Sequence, residues 1–277
     1  MKVVKTIAEF RKLRRQLANP TGFVPTMGYL HEGHLSLVRY ARAENESVIA
    51  SIFVNPTQFG PREDFKAYPR DTERDLSMLE KEKTDVVFMP EATEIYPEGF
   101  STWIDVEKVT ERLEGTSRPS HFRGVTTVVA KLFNIVEPDV AYFGQKDAQQ
   151  ATVIKKMAAE LNMNLKVVTL PTVREPDGLA MSSRNTYLNP KQRKAATVLY
   201  RALSLAKHLH ANGEKDAAKM RREMMEILLR EPLAGVDYVS IADNETLEEL
   251  DRIKTPSLVS LAVKIGTTRL IDNVILE

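Results

Sequence analysis

The stretch GFVPTMGYLHEGHLSLVRYARAENESVIASIFV, residues 22–54, decides the fold. It opens with a short apolar strand, continues into a segment (34–44) with apolar residues at helical spacing, and ends in the near-continuous apolar run 47–54. Such a run is typical of a strand that is covered on both faces of a parallel sheet. The stretch therefore predicts a strand–helix–strand unit with parallel strands.

The same alternation continues on both sides of this unit. Thr6 and Glu9 have the spacing of a capping box, which predicts a helix running to about Ala18. Further along, the pattern predicts helices at 72–83, 124–137 and 147–161, and strands at 85–90, 139–144 and 165–173. Helices between successive strands imply right-handed crossovers, so residues 1–175 are predicted to form an α/β domain with a Rossmann-like, doubly wound parallel sheet.

The pattern changes after REPDG, residues 174–178. Two helical stretches, 190–211 and 216–229, are followed by three strands at 236–242, 257–265 and 268–276. Gly266 and Thr267 separate the last two strands and predict a tight hairpin. Residues 176–277 are therefore predicted to form a smaller C-terminal α+β domain with an antiparallel sheet.

Composition excludes several classes of function. The 39 Lys and Arg residues balance 38 Asp and Glu residues, so no global field recruits nucleic acid or an anionic membrane. The absence of cysteine excludes disulfides, zinc–thiolate sites and a cysteine nucleophile. The N-terminal sequence has no apolar core typical of a secretory signal, and no apolar run approaches the length of a membrane span. We expect a cytoplasmic protein.

His31 and His34 lie where the first crossover helix begins, near Gly33. A helix N-terminus presents unpaired N–H groups and attracts anions, above all phosphate. Gly28 and Gly33 allow close approach of the backbone, and two imidazoles add donors, so the stretch predicts a triphosphate site at the end of the first strand. A purely capping role for the histidines stays open. A zinc site is disfavoured, because the spacing is HExH rather than HExxH.

The HEGH sequence after PTMG resembles the HxGH motif of the class I aminoacyl-tRNA synthetase-like nucleotidyltransferases. Further stretches resemble one family within that group, and they are FVNPTQFGPREDF (53–65), YPRD (68–71), SRPSHFRGVTTVV (117–129), AYFGQKDAQQ (141–150) and MSSRN (181–185). In identity, order and spacing they resemble the pantothenate synthetase (pantoate–β-alanine ligase) family over essentially the whole chain.

This resemblance implies ATP-dependent ligation of (R)-pantoate and β-alanine through a pantoyl-adenylate, with release of AMP and pyrophosphate. It also implies Mg²⁺ as the ion that accompanies ATP, and a homodimer. It assigns no side chain as a metal ligand. Asp71, Asp75 and Asp85 are interpreted as helix-start and surface charges.

The resemblance also implies the site residues. Contacts to ATP are expected from Met27, Gly28, His31, Gly33, His34, Gly144, Gln145, Lys146, Asp147, Val173, Met181, Ser182, Ser183 and Arg184. Among these, the expected catalytic residues are His34, His31, Lys146 and Arg184. The MSSR stretch resembles a KMSKS loop, which predicts a mobile lid over the triphosphate.

Three residues are expected at the pantoate pocket. Gln58 and Gln150 match the family's pantoate-binding glutamines, and an amide that both donates and accepts suits hydroxyls and a carboxylate. Asn55 is expected to serve the same pocket or to fix its loop.

The chain departs from the family pattern at three positions: Tyr29 stands where a small residue is expected, Gln145 where an acidic one is common, and Ala148 where an aromatic one is common.

Two alternatives remain open. An adenylyltransferase acting on a phosphate ester would need an additional basic cluster, and the only dense one, residues 11–15, is interpreted as the solvated face of the first helix. A nucleotide-sensing module would bind ATP without substrate-dependent release of pyrophosphate. A tRNA synthetase is disfavoured, because the sequence has no anticodon-binding extension.

Overall fold

The computed structural model describes residues 1–61 and 63–277, so Arg62 of the quoted stretch 53–65 lies outside the described residues. The strands are β1 (Lys2–Val4), β2 (Thr21–Thr26), β3 (Ser47–Ile52), β4 (Val86–Phe88), β5 (Val140–Gly144), β6 (Lys166–Leu170), β7 (Ala234–Asp243), β8 (Ser257–Ile265) and β9 (Thr268–Leu276). The helices are α1 (Ile7–Arg14), α2 (Glu32–Glu44), α3 (Thr72–Lys81), α4 (Ala92–Ile95), α5 (Glu114–Ser117), α6 (His121–Val136), α7 (Ala148–Glu160), α8 (Pro190–Ala195), α9 (Val198–Ala211) and α10 (Ala217–Leu229). Short 3₁₀ helices lie at Pro56–Gln58, Gln145–Asp147 and Ser183–Tyr187.

The chain divides into two compact units. The first comprises residues 1–144 and 150–171, and the second comprises 145–149 and 172–277. The boundary at residue 175 between two independently folding domains stays a prediction.

In the described part of the first unit, six parallel strands form one sheet in the order β1-β4-β3-β2-β5-β6. From β2 the chain runs outward to β3 and β4 on one side, and β5 and β6 lie on the other. The direction of winding therefore reverses between β2 and β5, and doubly wound sheets bind ligands at the carboxyl ends of the strands at such a point. There β2 ends at Thr26 and β5 at Gly144. The predicted Rossmann-like parallel sheet is confirmed.

Buried apolar side chains explain why these strands and helices form. Val24, Val48 and Val87 on three neighbouring strands are fully buried and pack in one core with Val38 of α2. Helix α6 carries a β-branched run that weakens helix propensity, yet almost all of its residues are buried, including Val128 and Val129. Burial of its apolar residues offsets the lower propensity, and the helix predicted at 124–137 is confirmed.

The second unit has its own core. Strands β7, β8 and β9 form an antiparallel sheet, and the hairpin between β8 and β9 turns at Gly266, whose φ is +62°. Leu203, Met224 and Leu261 are fully buried and link helices α9 and α10 to this sheet. The smaller α+β unit is thus confirmed as part of the fold class.

The single helix predicted at 190–211 is wrong in one respect. The structure has two helices, α8 and α9, separated at Ala196 and Thr197. The Thr197 hydroxyl donates to the carbonyl of Lys194 at 2.8 Å and competes with the backbone ladder.

Among the described residues, no helix combines the length and the apolar character that crossing a membrane requires.

Candidate active site

The loop after β2 is held by a carboxylate from α3. Gly28 and Tyr29 both adopt left-handed backbone conformations, with φ of +79° and +49°. This turn directs the N–H groups of Tyr29 and Leu30 at the carboxylate of Asp75, at 2.6 and 2.7 Å. Asp75 is 1% exposed, so its interpretation as a surface charge is wrong. Burial raises the pKa of Asp75, and the two N–H donors oppose that shift.

His31 and His34 form a reciprocal cap on α2. Nδ1 of His31 accepts from the N–H of Gly33 at 3.1 Å, and Nδ1 of His34 accepts from the N–H of His31 at 3.3 Å. Because each Nδ1 accepts, a neutral ring carries its proton on Nε2. The ring centroids are 4.0 Å apart, so the two Nε2–H donors belong to one compact pair. The capping role that the sequence left open is therefore real, and it orients both rings.

The 3₁₀ helix Pro56–Gln58 brings three of the expected site residues together. Nε2 of Gln58 donates to the sulfur of Met27 at 3.4 Å, and its Oε1 accepts from Nδ2 of Asn55 at 3.1 Å. Asn55 is 1% exposed. Its Nδ2 also donates to the carbonyl of Gly124 at 3.1 Å, and its Oδ1 accepts from the Tyr96 hydroxyl at 2.8 Å. These contacts favour a loop-fixing role for Asn55.

Sequence reasoning gave no role to Arg118, Glu63 and His121, a trio that holds the backbone of Gln58 and of which His121 is buried and the other two half-buried. Arg118 forms a fork with the Glu63 carboxylate, at 2.7 and 2.6 Å. It also faces Nε2 of His121 at 3.1 Å, so Nε2 accepts and Nδ1–H donates to the Gln58 carbonyl at 2.8 Å. Burial and the Arg118 charge lower the pKa of His121 from 6.5 to about 4, which keeps this tautomer neutral. The signal was available, because Arg118 and His121 stand in the SRPSHFRG stretch and Glu63 stands in the stretch 53–65.

Gly144 and Gln150 lie elsewhere in the first unit. Gly144 ends β5 at the point where the winding reverses, and a Cβ built there meets nothing within 4 Å. Gln150 is half-buried in the first turn of α7. The hydrogen bonds described for the Gln58 side chain go to Asn55 and Met27, and not to Gln150.

The remaining expected ATP residues belong to the second unit. Gln145, Lys146 and Asp147 form a 3₁₀ turn between β5 and α7, and Nζ of Lys146 lies 3.3 Å from Oδ1 of Asp147. The side chain of Lys146 is 21% exposed. The predicted strand–turn–helix setting of this motif is confirmed.

Val173 differs from its predicted setting, while the role of the MSSR stretch as a lid stays a prediction. Strand β6 ends at Leu170, so Val173 lies beyond the strand rather than at its end. Its carbonyl accepts from the N–H of Met181 at 3.0 Å, which joins it to the MSSR stretch. The stretch leads into the 3₁₀ helix Ser183–Tyr187, where the Ser182 hydroxyl caps the first turn by accepting from the N–H of Arg184 at 3.3 Å.

The comparison with known proteins decides the family. The sequence model described as Pantoate-beta-alanine ligase matches residues 2–275. The chain belongs to the pantoate–β-alanine ligase family. It is 60% identical, over the whole of both chains, to the pantothenate synthetase of Roseiflexus castenholzii. As a member of this family the chain is an enzyme, a ligase.

Two solved structures of the family superpose on nearly the whole chain. The pantothenate synthetase of Thermus thermophilus shares 48% identity and a TM-score of 0.95, with 99% of each chain covered. The pantoate-β-alanine ligase of Francisella tularensis, complexed with beta-gamma ATP and β-alanine, shares 35% identity and a TM-score of 0.82, with 99% of this chain and 97% of that chain covered.

The donor set limits how a metal ion could be held. Among residues 1–61 and 63–277, no group of three or more His, Cys, Asp or Glu side chains is placed to hold a metal. Mg²⁺ takes most of its ligands from phosphate and water in nucleotide sites and needs few protein carboxylates. These described side chains therefore form no protein cage for a metal, and a magnesium ion that accompanies a nucleotide would take its ligands mainly from phosphate and water.

Proposed function

We propose that the chain joins (R)-pantoate to β-alanine with ATP, through a pantoyl-adenylate, and releases AMP and pyrophosphate. The observation that carries the proposal is the oriented imidazole pair at the carboxyl end of β2. The turn with Gln58 adds a polar contact beside the same loop. Family membership supports the proposal, as does the relative from F. tularensis, which is described with an ATP compound and β-alanine.

The first step is attack by a carboxylate oxygen of pantoate on the α-phosphorus of ATP. An acyl–phosphate bond forms, the bond to the β-phosphate oxygen breaks, and pyrophosphate leaves with the electron pair. A carboxylate needs no general base, so the protein's contribution is positioning and neutralisation of charge. This chemistry agrees with a histidine pair whose Nδ1 atoms contact the helix backbone rather than an aspartate.

His34 is proposed to donate its Nε2–H to phosphate oxygens as negative charge moves toward pyrophosphate, and His31 to act beside it. Lys146 is proposed to supply a compact positive charge, and Arg184 a planar set of donors, to phosphate oxygens. Ser182 and Ser183 add hydroxyl and backbone donors from the MSSR stretch. We propose that this stretch closes over the triphosphate.

In the second step, the amine of β-alanine attacks the acyl carbon of the adenylate. The new bond is the amide of pantothenate, the acyl–phosphate bond breaks, and AMP leaves while the amine loses a proton to solvent. Gln58 and Gln150 are proposed to hold the hydroxyls and the carboxylate of pantoate through both steps. Asn55 is proposed to fix the turn that carries Gln58.

Magnesium is proposed to accompany ATP, and when bound it neutralises phosphate charge. We also propose that the enzyme is a homodimer, which rests on the family alone. The cytoplasmic location stays a prediction.

Exchange of labelled pyrophosphate into ATP tests the proposal. Exchange should require pantoate and should proceed without β-alanine, because the adenylate forms before the amine attacks. Exchange that appears only with β-alanine would contradict the two-step scheme. Exchange supported by a phosphate ester in place of pantoate would favour an adenylyltransferase, and ATP binding without any exchange would favour a sensing module. Chelation of Mg²⁺ should stop the reaction, and added zinc should not be needed.

A further inference from the structure

Asn273 of the C-terminal strand β9 forms three hydrogen bonds with the turn that carries Lys146, and these bonds are called the grip below. Its Nδ2 donates to two successive carbonyls, those of Gln145 and Lys146, both at 2.9 Å. Its Oδ1 accepts from Nε2 of Gln145 at 3.0 Å. Asn273 is 4% exposed, so both N–H groups and the oxygen of its amide are used inside the protein.

The amide of Asn273 is itself rigidly placed. The preceding residue, Asp272, is 2% exposed and accepts a two-pronged contact from Arg174, at 2.6 and 2.9 Å. Oδ1 of Asp272 also accepts from the N–H of Asn273 at 2.8 Å. In the sheet, Asn273 pairs in register with Ser260 of the central strand β8. Strand pairing and a buried ion pair therefore fix the strand from which the amide extends.

The grip acts on backbone groups, which determine where the lysine side chain starts. Gln145–Asp147 is a single 3₁₀ turn, and such short turns have poor internal hydrogen-bond geometry. A lysine side chain is a flexible four-carbon stem, and it places its charge reproducibly only when its Cα is fixed. The two carbonyls held by Asn273 belong to Lys146 itself and to the residue before it.

We propose that Asn273 is a positioning residue that fixes Lys146 for the adenylation step, an inference that rests on the proposed function. Gln145 takes part through its side chain, where the family pattern commonly has an acidic residue. An ionised glutamate has no hydrogen to donate to Oδ1 of Asn273, whereas the glutamine amide has two.

Asn273→Asp is the sharpest test, because it keeps the side-chain volume and the oxygen that accepts from Gln145. It replaces the two donated hydrogens with an oxygen facing two carbonyls. Pantoate-dependent exchange should slow by roughly 10-fold or more, the scale expected for a misplaced catalytic group. In a Lys146→Ala background the same substitution should change the remaining rate less than about 2-fold, because the residue it positions is gone.

Asp243→Ala is the matched control. Asp243 also holds two successive backbone groups of a turn in the second unit, the N–H groups of Glu245 and Thr246, at 3.0 and 2.8 Å. It should lower the unfolding midpoint without changing the exchange rate per folded molecule. If Asn273→Asp fails to fold, Gln145→Ala removes one hydrogen bond of the grip and should slow exchange about 2- to 5-fold, again only when Lys146 is present.

Two results would overturn this inference and leave the proposed function standing. One is an unchanged exchange rate in a folded Asn273→Asp variant, and the other is an equally large slowing by Asn273→Asp when Lys146 is already alanine. If Asn273→Asp fails to fold, a parental rate in Gln145→Ala does the same. A parent enzyme without pantoate-dependent exchange refutes the proposed function and this inference together.

Discussion

His34 has a structural and a proposed chemical role on the two sides of one ring. Nδ1 accepts from the N–H of His31 and helps to cap α2, while Nε2–H is the proposed donor to phosphate. His34→Asn separates the roles, because the asparagine Oδ1 can take the place of Nδ1 as acceptor of the His31 N–H, while nothing replaces the Nε2–H donor. We expect adenylation to slow by roughly 10²-fold with an unfolding midpoint close to the parent's.

His208→Asn is the control for that change, because His208 lies on the exposed face near the end of α9. It should exchange pyrophosphate at the parental rate. A His34→Asn enzyme of parental activity would leave the imidazole with the capping role alone.

His121 makes folding stability depend on pH. Its folded pKa is about 4 and its ordinary value 6.5, with Arg118, Glu63 and Glu114 facing the ring. The unfolded chain binds the proton more readily between these values, so the stabilising contribution is complete above pH 6.5 and is lost as pH falls toward 4. The shift corresponds to about 3 kcal/mol of unfolding free energy.

Urea unfolding of the parent and of His121→Asn, from about pH 4 to about pH 7, measures this loss. Asparagine keeps a donor for the Gln58 carbonyl and does not titrate. The variant should therefore have a flatter stability profile over this range. Parallel profiles would mean that His121 is not held neutral by its surroundings.

At the scale of elements, helix α6 sets the position of the turn that carries Gln58. A Cβ built on Gly124 would lie 2.4 Å from the Thr57 carbonyl oxygen and 2.7 Å from the Gln58 nitrogen. Gly124→Ala must therefore displace either the helix or the turn. We expect KM for pantoate to rise roughly 10-fold or more, with ATP binding to the free enzyme nearly unchanged, because small displacements of a binding group are costly.

Gly235→Ala is the matched control, since a Cβ there meets only ordinary contacts at 3.8 Å. Steady-state kinetics in pantoate and calorimetry with ATP separate the two effects. Loss of ATP affinity with unchanged KM for pantoate would contradict the assignment of this turn.

The sequence predicts elements well where one pattern dominates. Strands β8 and β9 have the predicted bounds, since apolar runs end at a glycine that can adopt positive φ. Strand β1 is not predicted, because three residues at a sheet edge carry no periodicity. In the candidate site, His31 and His34 follow β2, and the turn Gln145–Asp147 follows β5, as expected. Asp75 and Asn273 escape prediction, because their partners lie 45 and 127 or more residues away along the chain.

At the scale of the whole molecule, residues 172–277, the main part of the second unit, should fold without the rest of the chain. Its core is continuous and includes Leu203, Met224 and Leu261, all fully buried. We expect a fragment of residues 172–277 to unfold cooperatively in urea. Leu203→Ala in this fragment should lower its unfolding free energy by about 2–5 kcal/mol, as for a buried leucine elsewhere. A fragment without cooperative unfolding would contradict an independent second domain.

The ion pair between Arg174 and Asp272 provides a test of where this domain begins in the sequence. A cut at the predicted boundary, giving residues 176–277, removes Arg174 and leaves the carboxylate of Asp272, 2% exposed in the structure, without its guanidinium. Breaking a buried pair by removing one partner costs about 3–5 kcal/mol. We therefore expect residues 174–277 to match 172–277 in unfolding free energy, and residues 176–277 to be less stable by about that amount.

Lowering the pH should reduce the difference in unfolding free energy between residues 174–277 and residues 176–277. Burial raises the pKa of Asp272 even beside Arg174, and without Arg174 nothing in the pair opposes that rise. The folded short fragment then binds a proton more readily than the unfolded chain, so its stability increases as pH falls toward the ordinary value of 3.8. Asp272→Asn should stabilise residues 176–277 at neutral pH, because it removes the unpaired carboxylate. It should destabilise residues 174–277, because there it removes the ion pair with Arg174. Equal stability of the two fragments at every pH would show that the domain boundary lies at 175 after all, with Arg174 outside it.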